Sequence, residues 1–118
     1  MALNFNSLKK SSLEIILNDK RNTKLNIYTP SKKLLTEIVN VSRTLTDIEN
    51  GESDIEDINT LYEICAKVMS RNKQNIHITG EKLESIFDME DLVIFLQAYI
   101  EFVSEIQDSK NLKSRTIR

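Results

Sequence analysis

Residues Leu83–Ile106 read LESIFDMEDLVIFLQAYIEFVSEI, and the spacing of apolar residues in this stretch decides the fold class. Leu83, Ile86 and Phe87 recur at helical spacing on a short segment that opens at Thr79 or Gly80. Asp88 stops that helix and caps the next, with Asp91 three residues on completing an aspartate version of the capping box. Beyond it, Met89, Leu92, Val93, Phe95, Leu96, Tyr99, Ile100, Phe102, Val103 and Ile106 cover an arc of about 180° on a helical wheel. A typical surface helix buries a stripe of only about 100°. Phe95 and Phe102 lie at the edge of the arc, and Ile94 falls on the polar side. Apolar surface of this width needs either a second core wall or another protein chain. Phe95, Tyr99, Phe102 and Ile106 form the row best spaced to anchor a partner helix or a second copy, although Phe95 and Phe102 are equally compatible with a core.

Working outward, the segments on the N-terminal side supply two more helices and a hairpin. Leu13, Ile15 and Leu17 alternate with Glu14, Ile16 and Asn18, and Leu25 and Ile27 alternate with Lys24, Asn26 and Tyr28. The polar connector Asn18–Asn22 joins them as a β-hairpin over residues 12–29. A lone hairpin is marginal in water, so it must lean on helices or on a neighbour's sheet. Thr29 as N-cap and Pro30 at the first helical position open a helix over 30–49, carried by Leu34, Leu35, Ile38, Val41, Leu45 and Ile48 and stopped by Asn50-Gly51. Ser53 and Glu56 form a capping box for a helix over 54–72, whose face is Ile58, Leu61, Tyr62, Cys65, Val68 and Met69, with Ile55 and Ile64 beside it. Polar residues 72–75 end it, and Ile76-His77-Ile78 is an extended link to helices over 80–87 and 89–107. The expected fold is mainly α (α+β): one small domain in which an N-terminal β-hairpin precedes about four helices. A flexible arm at 1–11 and a flexible basic tail at 108–118 flank it.

Composition agrees with this reading. The chain has 118 residues, a single-domain length, with two glycines and one proline, too few for a many-turned β fold. No apolar run approaches the roughly 18 residues of a membrane span, and no signal-peptide pattern opens the chain. Cys65 is alone and fits a reducing compartment, so a cytoplasmic location is expected. The net charge of −2 conceals an asymmetry. Residues 1–43 carry eight Lys/Arg against three acids, residues 44–108 four against fifteen, and the last ten residues add four positive charges. These are solvated faces, or else the complementary halves of a head-to-tail self-association.

No chemistry-bearing constellation emerges. His77 is the only histidine, and paired with Cys65 it would supply two metal ligands at most. The acidic stretch Asp47–Ile58 fails as a calcium loop, because Thr46, Ile48 and Asn50 hold the positions where ligands should precede Gly51. Glu81, Glu84, Asp88, Glu90 and Asp91 cluster at helix starts, where carboxylates favour the helix dipole. There is no phosphate loop, dinucleotide fingerprint or nucleophile elbow. No catalytic, metal or cofactor site is therefore expected, and the chain reads as a non-enzyme. The basic residues at the front are scattered, with only Tyr28 nearby, and the acidic middle would repel phosphate, so neither nucleic acid nor membrane is expected as partner.

Ile86-Phe87-Asp88, Glu90-Asp91-Leu92, Phe95, Ala98-Tyr99 and Glu101-Phe102-Val103 together resemble a motif of the tail assembly chaperones of long-tailed phages and prophages of low-GC Gram-positive bacteria. The resemblance covers 24 of the 118 residues and is a packing motif. It implies a protein that binds the tape measure protein and keeps it soluble while tail tube subunits polymerise, with the tail tube protein as a second partner. It further implies spiral or ring-like homo-oligomers and, in many members, a longer frameshifted form. Two other readings stay open: a small nucleic-acid-binding regulator of a mobile element, and a helical adaptor with a partner unrelated to tails.

Overall fold

The computed structural model describes residues 4–5, 10–49 and 55–116, with side chains described except at 44–49, 55 and 107–116. A two-stranded antiparallel hairpin, β1 (Ser12–Ile16) and β2 (Lys24–Tyr28), precedes four helices. These are α1 (Lys32–Glu49), α2 (Ile55–Met69), α3 (Gly80–Ile86) and α4 (Met89–Thr116).

The hairpin forms where alternation placed it. Leu13 pairs with Ile27 and Ile15 with Leu25, and with Leu17 these residues share the face turned to the core. The Leu17 N–H donates to the Thr23 carbonyl at 2.8 Å and closes the connector. Within that connector Asn22 takes a left-handed φ of 48°, a conformation asparagine tolerates better than most residues. Asp19 organises the rest. Its carboxylate accepts from the Thr23 N–H (2.9 Å) and hydroxyl (2.6 Å), and pairs with Lys82 of α3 at 3.3 Å. Asn18 Nδ2 donates to the Ile86 carbonyl at 2.8 Å, a second tie from the turn to α3.

Helix α2 is central, with Leu61, Tyr62, Ile64, Cys65, Ala66, Val68 and Met69 all buried. Leu34, Ile38 and Val41 of α1, Leu83 of α3, and Leu92, Leu96 and Tyr99 of α4 are buried in the same core. Tyr62 donates its hydroxyl hydrogen to the Phe87 carbonyl at 2.7 Å, tying α2 to the break between α3 and α4.

Helix ends differ from the spacing-based expectation in three places. The N-cap of α1 is Ser31 and not Thr29: Ser31 Oγ accepts from the Leu34 N–H at 3.2 Å, and Pro30 lies before the cap. The Thr29 carbonyl instead accepts from Arg71 Nε at 3.1 Å. Helix α2 stops at Met69, short of 72, because the following residues run beside β2. The Tyr28 N–H donates to the Arg71 carbonyl (2.8 Å), and the Lys73 N–H to that of Asn26 (2.9 Å). Helix α4 continues to Thr116, past the expected end at 107 and through the stretch expected as a flexible tail. No glycine or proline stands between 81 and 118 to stop it. The Asn50-Gly51 stop and the Ser53 half of the capping box lie outside the described residues, as do the side chains of Leu45, Ile48 and Ile55.

Two further caps form, the second as read. Thr79 accepts from the Lys82 N–H at 3.0 Å. The Asp91 N–H donates to Asp88 Oδ1 at 2.9 Å, and the Asp88 N–H to Asp91 Oδ2 at 3.0 Å, so the aspartate capping box is reciprocal.

Candidate interaction surface

The four residues proposed as an anchoring row separate into two pairs. Tyr99 is wholly buried and Phe95 only 5% exposed, so both belong to the core of the monomer. Phe102 and Ile106 are half-buried. Tyr99 stacks on Phe95 with ring centroids 6.0 Å apart, and Phe102 tilts against its other side at 6.1 Å. The Tyr99 hydroxyl donates to the Tyr28 carbonyl at 2.8 Å, joining α4 to the end of β2, and burial holds the phenol well above its ordinary pKa. The wide apolar arc of α4 therefore has two walls within this chain: the helical core on one side and the hairpin on the other. Phe95 faces the second, in a groove shared with Ile15.

Among the described residues the large apolar side chains left in solvent are Phe5, Ile16, Val39, Ile94 and Ile100. Val39 on α1 is 53% exposed and Ile100 on α4 38% exposed. They stand on either side of a groove of about 230 Å³ between the two helices, lined also by Leu35, Ile38, Tyr99 and Val103 with Ser42 and Ser104. Helical spacing places the exposed Arg43 beside Val39 and the exposed Lys32 two turns before it. The α1 rim of the groove is thus basic. Sequence periodicity did not find it, because Val39 fell outside the apolar stripe of its helix and Ile100 was one ordinary member of the arc on α4. The trough arises only from the placement of α1 and α4 side by side in the fold.

The reactive groups are placed for structure. Cys65 is fully buried, and burial pushes its thiol up to about 12, so it stays protonated at neutral pH. His77 is exposed on the link between α2 and α3, beside the buried Ile78. Among the described residues no three His, Cys, Asp or Glu side chains are grouped as metal ligands, and no helix is long and apolar enough to cross a membrane.

Sequence reasoning missed one structural residue. Asn72, read as a polar helix terminator, is buried. Its Nδ2 lies 2.8 Å from the Met69 carbonyl and 2.6 Å from that of Ile76, while Oδ1 accepts from the Ile76 N–H at 2.9 Å. It thereby holds the turn that presents residues 71–73 to β2.

Comparisons of the chain with known protein families, curated proteins and solved structures find no match.

Proposed function

We propose that this protein is a non-enzymatic tail assembly chaperone of a long-tailed phage or prophage, acting in the bacterial cytoplasm on the tape measure protein. Two observations support the reading. One is the motif from Ile86 to Val103 by which the sequence resembles that family. The other, which carries it at the level of structure, is the open apolar groove between α1 and α4.

A tape measure protein is long, helical and apolar along one stripe, and needs cover until the tube closes around it. An amphipathic helix laid between α1 and α4 would set its stripe on Val39, Ile100 and Val103. Its flanking acids would meet Lys32 and Arg43. In this placement the buried Tyr99 lines the bottom of the groove, while Phe95 lies on the hairpin side of α4, away from the partner. Self-association belongs to the proposal, because repeated copies would let many weak contacts hold a long ligand and yield stepwise to tube subunits.

Co-expression tests it. The cognate tape measure protein should stay soluble with the wild-type chain and precipitate with a Val39→Asp/Ile100→Asp variant that retains wild-type circular dichroism. Both sites are solvent-accessible, so the fold should tolerate the charges. Equal solubility with the two chains would remove the groove from the mechanism, and no rescue by either would remove the chaperone reading.

A further inference from the structure

The hairpin has one edge in use and one on offer. Leu17, Ile15 and Leu13 lie at the β2-facing positions of β1, as the Leu17–Thr23 bond and the strand register require. The backbone groups of Ser12, Glu14 and Ile16 consequently point the other way. The matching outward groups of β2 are taken up: Tyr28 by Arg71, and Asn26 by Lys73 and the side chain of Gln74. Among the described residues Ser12, Glu14 and Ile16 have no such backbone partner. An open strand edge is ordinarily short, charged or covered. This one is short and carries Glu14 at its centre, but it ends at Ile16, 65% exposed, beside a groove of about 270 Å³ lined also by Phe87, Ile94 and Ala98. Ile94 is itself 57% exposed.

We infer that the β1 edge is a second docking site, which takes an extended segment of a partner protein in which apolar and basic residues alternate. The backbone of such a segment would pair with Ser12, Glu14 and Ile16. Alternate apolar side chains would drop onto Ile94 and Ala98. Charge selects the occupant. Glu90 and Asp91, one turn before Ile94, and Glu101, two turns after it, make this wall of α4 acidic, while Glu14 on the strand is already paired with Lys24 at 3.2 Å. A second copy brought edge to edge would set those carboxylates against their own equivalents, whereas a basic strand neutralises them. The site is independent of the α1–α4 groove, shares no exposed residue with it, and would serve a different partner segment.

The probe is a blocked peptide of about seven residues alternating lysine with valine, added to the full-length protein. Two further peptides carry N-methyl groups on one or the other alternate set of residues. They keep charge and apolarity but remove the hydrogen-bond donors along one side. The edge assignment expects one methylated peptide to bind at least about tenfold more weakly than the parent and the other to bind nearly as well. It also expects slower amide exchange at Glu14 and Ile16 on binding, and about tenfold weaker binding by a folded Ile94→Lys variant. Equal binding of all three peptides, or none, overturns the proposal, as does protection confined to α1 and α4. Protection of Glu14 and Ile16 that rises with protein concentration in the absence of peptide would place a second copy on the edge and overturn it as well.

Discussion

Asn72 carries more of the structure than its polar neighbourhood suggests. Three hydrogen bonds run from its buried amide to Met69 and Ile76. Asn72→Ala would leave those backbone groups buried without partners, and a loss of about 3 kcal/mol in unfolding free energy is expected by urea denaturation. Asp19 provides a pH signature. Hydrogen bonds from Thr23, side chain first, and the Lys82 ammonium hold its carboxyl down from 3.8 to about 2. The folded state thus binds this proton less readily than the unfolded chain does. Its stabilising share is complete above pH 3.8 and fades as pH falls toward about 2. Asp19→Asn should flatten the urea midpoint across that window and shift it little between successive points near neutrality. Neither role was legible in the sequence. Asn18–Asn22 and Asn72–Asn75 read alike as polar connectors, and only tertiary placement distinguishes a solvated asparagine from a buried one.

At the scale of elements, the break at Asp88 was the clearest feature of the sequence, because capping is local chemistry with a three-residue period. Asp88→Ala should cost about 1 kcal/mol, while Asp88→Ser, which can still accept from the Asp91 N–H, should stay within a few tenths. Gly80, in the first turn of α3, is not held there by crowding. A Cβ at this position would meet Glu63 only at ordinary contact distance, 3.7 Å. Gly80→Ala should therefore raise stability by about 0.5 kcal/mol, read as a higher denaturation midpoint. The starts of α1 and the end of α2 were misplaced for a related reason. Thr29 and Ser31 are both competent caps beside Pro30, and residues 70–72 carry no helix breaker. What decides each boundary is a partner distant in sequence: Arg71 draws on the carbonyl of Thr29, and β2 draws residues 71–73 out of the helix.

For the whole molecule, hydrophobic periodicity was enough to place a hairpin before four helices, since each element declares its buried face within its own span. The surplus apolar arc of the last helix was equally visible, but its meaning was not. Arc width counts walls without saying which chain supplies them. The hairpin, joined to α4 by the Tyr99–Tyr28 bond across 71 residues, supplies the second wall and takes Phe95 and Tyr99 inside. Phe95→Asp should accordingly unfold the protein, because it buries an unpaired charge, whereas Ile100→Asp should leave the circular dichroism and thermal midpoint close to wild type. The trough between α1 and α4, proposed above as the tape measure site, is a feature of how helices are arranged and so absent from any one stretch of sequence.

Methyl NMR of the full-length protein during titration with an amphipathic helical segment of the tape measure protein reads that trough directly. Saturable shifts should concentrate on the methyls of Leu35, Val39, Ile100 and Val103, with those of buried Leu61, Val68 and Leu83 nearly still. Shifts centred on other surfaces, or no saturable shift at all, would contradict a chaperone that holds its partner between α1 and α4.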